Sequence, residues 1–149
     1  MSEKPLQGGC RCGQVRFEVT EAPLLTAVCH CRGCQQMTGG AYSVSTMYPA
    51  AGFKVTAGEP VPGGLHGATK HMHCPHCLSW VFTLPDGAAW LVNIRATMFD
   101  DPTDFVPYVE TYTDEMLPWA KTPAVRSFPK FPEIAEYQGL VNEFMALRS

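Results

Sequence analysis

The chain has 149 residues, 46% of them hydrophobic and 17% charged, which suits one globular domain over residues 1–149 with enough apolar material for a core. A formal net charge of −3 and the lack of any long Lys/Arg run argue against a nucleic-acid partner, because non-specific affinity of that kind comes from neutralising phosphates. No apolar stretch is long enough for a signal peptide or a membrane span, so the reading is a cytoplasmic protein with no membrane partner.

Thirteen Gly and thirteen Pro cut the chain into short pieces rich in β-branched and aromatic residues, so the expected fold is mainly β with antiparallel sheets. The clearest strand runs from Gln14 to Thr20, where Val15, Phe17 and Val19 alternate with Arg16, Glu18 and Thr20 to give one buried face and one wet face. Further strands are predicted from Leu24 to Cys29, Tyr42 to Tyr48, Phe53 to Thr56, Ala68 to His73, Trp80 to Leu84, Trp90 to Ile94 and Val106 to Tyr112. Pro60-Val61-Pro62-Gly63-Gly64 and Leu84-Pro85-Asp86-Gly87 carry the dihedral preferences of turns. From Pro132 onward Ile134, Tyr137, Leu140, Val141 and Phe144 fall at helical spacing, which predicts one C-terminal helix docking its apolar stripe on the sheet.

Seven cysteines are an odd number, and in a reducing compartment they point to metal rather than to a disulfide framework. They come as Cys10-Arg11-Cys12, Cys29-His30-Cys31-Arg32-Gly33-Cys34 and Cys74-Pro75-His76-Cys77. A C-x-x-C turn sets two sulfurs at adjacent corners of a tetrahedron, and a C-x-C pair can supply the other two, so Cys10, Cys12, Cys74 and Cys77 are assigned to a structural zinc. The middle cluster offers three sulfurs, and a zinc held by Cys29, Cys31 and Cys34 keeps an open position for chemistry. A fourth ligand from His66, His71 or His73 could close that site, and a metal-free redox trio is the other alternative. His30, between two ligands, is assigned a surface or core role. Three thiolates make a zinc complex anionic and poor at acidifying water, which disfavours hydrolysis and favours an incoming thiol as ligand.

Gly8-Gly9-Cys10-Arg11-Cys12-Gly13, the middle cluster with Thr38-Gly39 after it, Cys74-Pro75-His76-Cys77, Leu117-Pro118-Trp119 and the Phe128-Pro129 region together resemble the glutathione-dependent formaldehyde-activating enzyme and centromere protein V family. The resemblance implies an Mss4-like β fold, two zinc ions per chain on the two cysteine sets just named, and the joining of glutathione to formaldehyde as S-hydroxymethylglutathione, a carbon–sulfur lyase-type activity. Leu78-Ser79-Trp80 departs from the pattern, since the family more usually has Gly and then a small residue there. Within this reading Arg32 and Arg95 are possible partners for the glutathione carboxylates, or simply solvated charges. Asp100 and Asp101, ahead of Pro102, read as turn residues. Two other functions compete: a zinc-stabilised binding module without catalysis, and a thiol redox protein using Cys31 and Cys34.

Overall fold

The computed structural model describes residues 4–65 and 67–148. The structure is mainly β, as expected, with two sheets, a short helix and a C-terminal helix. Strands β1 (Leu6–Gly9), β2 (Arg16–Val19) and β5 (Phe53–Ala57) form a small antiparallel sheet in the order β1-β2-β5. The larger sheet contains β3 (Leu25–Cys29), β4 (Ser43–Pro49), β6 (Val61–Gly63), β7 (Lys70–His73), β8 (Trp80–Leu84), β9 (Leu91–Arg95), β10 (Val109–Thr111) and β11 (Arg126–Ser127). Their order across it is β11-β10-β3-β4-β9-β8-β7-β6. Helix α1 covers Arg32–Thr38 and α2 covers Tyr137–Arg148. No helix among the described residues is long and apolar enough to cross a membrane.

The main core fills one face of the large sheet. Phe17 and Val19, the buried half of the alternation in β2, join Tyr48, Val92, Ile94 and Phe99 there. Phe17 meets Phe99 edge-on at 5.2 Å, and Phe53 meets Phe82 at 4.9 Å, the tilted geometry that aromatic quadrupoles prefer. A second cluster on the other face joins Leu25, Tyr108 and Val109 to Leu140 and Phe144 of α2, with Tyr137 and Val141 partly buried against it.

The differences from the sequence reading have identifiable causes. β10 runs parallel to both β3 and β11, where antiparallel pairing is expected throughout. Alternation within a strand fixes its faces but not its direction. The predicted turn at 60–64 contains β6, whose Pro62 is tolerated because β6 is an edge strand. The short β1, β11 and α1 are additional elements. The C-terminal helix begins after Pro132 through a 3-10 turn, Ile134–Glu136, where the Glu133 N–H donates to the Glu136 carboxylate at 2.8 Å. That turn leaves Ile134 91% exposed, so it takes no part in the docking stripe.

Gly8 in β1 bridges Phe99, and a Cβ there would overlap the Met98 carbonyl and the Phe17 ring. Gly8→Ala is therefore expected to lower stability by about 1–3 kcal/mol, the usual cost of forced overpacking, read from the denaturant midpoint.

Candidate functional site

Two groups of sulfurs converge. Cys10 and Cys12 lie in the β1–β2 loop, and Cys74 and Cys77 in the turn between β7 and β8. The four sulfurs lie within 4.8 Å of one another, with Cys10 to Cys12 at 3.5 Å and Cys12 to Cys74 at 3.7 Å. A tetrahedral zinc with bonds of about 2.3 Å needs sulfur–sulfur edges of about 3.8 Å, so the set fits a metal. Backbone N–H groups already point at these sulfurs: Val15 donates to Cys10 at 3.3 Å, and His76 and Cys77 donate to Cys74 at 3.4 and 3.5 Å. Such donors stabilise thiolates. The turn closes with the Leu78 N–H on the Cys74 carbonyl at 2.9 Å and with Leu78 itself in the left-handed region, φ 62°. The position where the resemblance calls for Gly is thus one where Gly has a physical advantage.

The second group is built on a strand end and a helix start. Cys29 ends β3, Cys31 caps α1 by accepting the Cys34 N–H at 3.3 Å, and Cys34 sits in the first turn. Gly39, in the left-handed conformation, ends the helix with its N–H on the Gln35 carbonyl. These three sulfurs also lie within 4.8 Å of one another. Proton sharing from Cys34 draws the Cys29 thiol down to about 5, against the opposing effect of burial. Cys34, giving up that hydrogen bond and itself buried, is pushed up in turn, and burial raises Cys31. One thiolate is easy here and each further one is opposed, so full ionisation of the trio calls for a cation.

The three cysteines stand in a cavity of about 310 Å³ on the α2 side of the large sheet. Strand register explains its walls. The partnered rows Thr111–Cys29–Ser43, Val109–Ala27–Ser45–Arg95 and Leu25–Met47–Asn93–Thr83–His71 alternate with the core rows, so their side chains share one face. Trp80, Phe131 and Tyr137 also line it. The four-cysteine group does not border this cavity.

The other predicted residues divide clearly. His30 is fully buried, with Nε2 2.8 Å from Glu110, and so has a core role. His71 lines the cavity but its Nδ1 engages Thr83 at 2.7 Å, and His73 stacks on Trp80. Neither joins the three sulfurs among the described residues, and His66 lies outside them. Arg32 is exposed beside Gln35, as a solvated charge would be. Asp100 pairs with Arg16 at 2.6 Å and Asp101 caps the Thr103 turn. Arg95, equally open to a surface reading in sequence, is instead 8% exposed and part of the cavity. Asn93, Ser43 and Ser45 carry no motif, and the signal for them lies in the pleat of β4 and β9; Trp80, at the start of β8, faces the cavity beside a register shift.

A family model described as glutathione-dependent formaldehyde-activating enzyme matches residues 5–115, most of the chain and both cysteine groups. The chain belongs to the glutathione-dependent formaldehyde-activating enzyme family. A solved Rhodobacter sphaeroides protein, a structural-genomics target, is similar in fold with a TM-score of 0.53 and 17% identity, over 64% of this chain and 88% of that one. No curated protein matches. In this member of the formaldehyde-activating enzyme family, the cysteine loop is bolted down from behind. The Glu110 carboxylate accepts from His30, from Thr122 at 3.1 Å and from Ser127 at 2.7 Å, while Gln35 Nε2 donates to the His30 and Glu115 carbonyls.

Leu78→Gly is expected to raise stability by up to about 1 kcal/mol, since it relieves a left-handed leucine that is 69% exposed and contributes little burial. Denaturant unfolding of the metal-loaded proteins measures this. Burial pushes the Glu110 carboxyl up, but the bonds from Ser127, His30 and Thr122 prevail and hold it below its usual value of 4.5. Its stabilisation is therefore complete above that value and lost as pH falls through the lower folded one. Glu110→Gln should cost about 1–2 kcal/mol at pH 7, and the gap to wild type should close on acidification below about 4.5, read from paired unfolding curves.

Proposed function

We propose that the chain is a cytoplasmic zinc enzyme of the carbon–sulfur lyase type, resembling S-(hydroxymethyl)glutathione synthase, that joins a thiol such as glutathione to formaldehyde or a related small aldehyde. The observation that carries this reading is the contrast between the two sulfur groups. One brings four sulfurs together away from the cavity, and the other stops at three sulfurs inside it.

Cys10, Cys12, Cys74 and Cys77 would hold a structural Zn²⁺, and Cys29, Cys31 and Cys34 a functional one, since all-sulfur donor sets favour zinc over hard cations. When bound at the three cysteines, zinc supplies an open position at which an incoming thiol loses its proton near neutral pH. All seven cysteines are free thiols, the state a reducing cytosol maintains. Residues 1–149 would act as one zinc-binding domain.

The chain's own residues then do the positioning. Thr111 and Ser43 flank Cys29 in register, and their hydroxyls favour the thiolate forms of Cys29 and Cys34 respectively. Leu25, Ala27, Met47 and Val109 form an apolar wall that limits water around the sulfur nucleophile. The sulfur forms a bond to the aldehyde carbon, the carbonyl π pair moves to oxygen, and that oxygen takes up a proton equivalent to the one the thiol released. The product is a hemithioacetal, and the reverse step returns thiol and aldehyde.

Elemental analysis of chelator-free protein should give two zinc per chain, falling to one when Cys29, Cys31 and Cys34 are all changed to Ser. The fold should persist by circular dichroism and calorimetric glutathione binding should vanish. A single zinc in both proteins, or undiminished glutathione binding by the variant, would defeat the proposal.

A further inference from the structure

The cavity contains a charge that the sulfur chemistry does not require. Arg95 ends β9 and is 8% exposed, its Nε has no hydrogen-bond partner, and no ion pair to it forms among the described residues. Burying an ion without a counter-ion is costly, and a guanidinium cannot escape that cost by neutralising itself. Burial draws Arg95 down to about 10, which still leaves it charged at neutral pH.

Its geometry is fixed. The guanidinium carbon lies 3.9 Å from the centroid of the Trp80 ring, so one face of the planar group is covered. The N–H donors point outward in the plane, where they match the two oxygens of a carboxylate. Two residues earlier on the same face of β9, Asn93 also lines the cavity, and its buried Oδ1 likewise has no partner. A donor edge and an acceptor atom therefore stand together in the cavity that also holds the three cysteines. Along the register Ser43 faces Cys29 and Ser45 faces Arg95, which places the Cα atoms of Cys29 and Arg95 roughly 12 Å apart by standard strand spacings. Both side chains reach into the space between.

We propose that Arg95, with Asn93 beside it, forms a carboxylate subsite, so that the thiol taken up at the three cysteines is one that carries a free carboxylate. The inference rests on the reading of those cysteines as a thiol site. Arg95 holds the carboxylate, and Asn93 Oδ1 accepts from an N–H on the same ligand. The alternative role for Arg95 is counter-charge to the cysteine cluster, whose Cys34 and Cys29 charges act on it. The two roles differ in which ligands they affect.

The zinc-loaded full chain is titrated calorimetrically with glutathione, its diester, S-methylglutathione and 2-mercaptoethanol. Wild type should bind glutathione at least about tenfold tighter than the diester, the size expected for a charge-assisted pair. Arg95→Gln should erase that preference and leave 2-mercaptoethanol binding unchanged, while Arg95→Lys should keep part of it. Equal wild-type affinity for the acid and the diester overturns the subsite and leaves the proposed function standing. A loss in Arg95→Gln that falls equally on 2-mercaptoethanol also overturns it and makes Arg95 the counter-charge of the cluster. Should no free thiol bind, the proposed function fails. S-methylglutathione binding that disappears in Arg95→Gln then still supports the subsite, and its absence overturns the subsite as well. If Arg95→Gln does not fold, the wild-type comparison of acid with diester decides.

Discussion

The two-residue period of the β strand is the constraint on which the rest of this structure depends. In β3, β4 and β9, one set of side chains faces the core shared with the small sheet, and the intervening set faces the cavity under α2. Tyr48, Val92 and Ile94 fall on the first side, and Cys29, Ser45, Asn93 and Arg95 on the second. A slip of one residue in any of these ladders would exchange the sides, placing a guanidinium in the aromatic core and aromatic rings in the cavity. Packing on one face therefore holds the chemistry of the other in register, and a core substitution that shifts a strand acts directly on the site.

Within that frame the two sulfur groups make different demands. The four-sulfur group ties a loop near the start of the chain to a turn near its middle, and its backbone N–H donors and the left-handed Leu78 are all features of local turn geometry. The three-sulfur group sits where a strand gives way to a helix, and its shape depends on partners far off in sequence. His30 turns inward to Glu110, and Gln35 reaches Glu115. With the intervening His30 drawn to the opposite side, Cys29 and Cys31 are free to converge with Cys34. The buried histidine thus contributes to the site by occupying the space behind it.

Much of this is legible in sequence where the signal is local. The alternation of Val15, Phe17 and Val19, the paired cysteine spacings and the helical stripe through Leu140 and Phe144 all report short-range geometry, and each reappears in the structure. Helix α1 is short, and the sulfur of Cys31 rather than a common capping oxygen begins it; Gly39 was the remaining cue. The parallel course of β10 has no local signature, because direction depends on the path of the connecting segments. Arg95 is the clearest example of the limit. An arginine at a strand end reads as solvated charge, and its burial follows from Trp80 and Ser45, which come from separate stretches of chain.

Phe131 and Tyr137, on one wall of the cavity, lie beyond the stretch 5–115 that matches the family, whereas all seven cysteines lie within it. The enclosure is accordingly composite: its three sulfurs come from the end of β3 and the start of α1, and Phe131 and Tyr137 come from the C-terminal stretch of the chain. A change at Phe131 or Tyr137 therefore resizes the chamber without touching a sulfur.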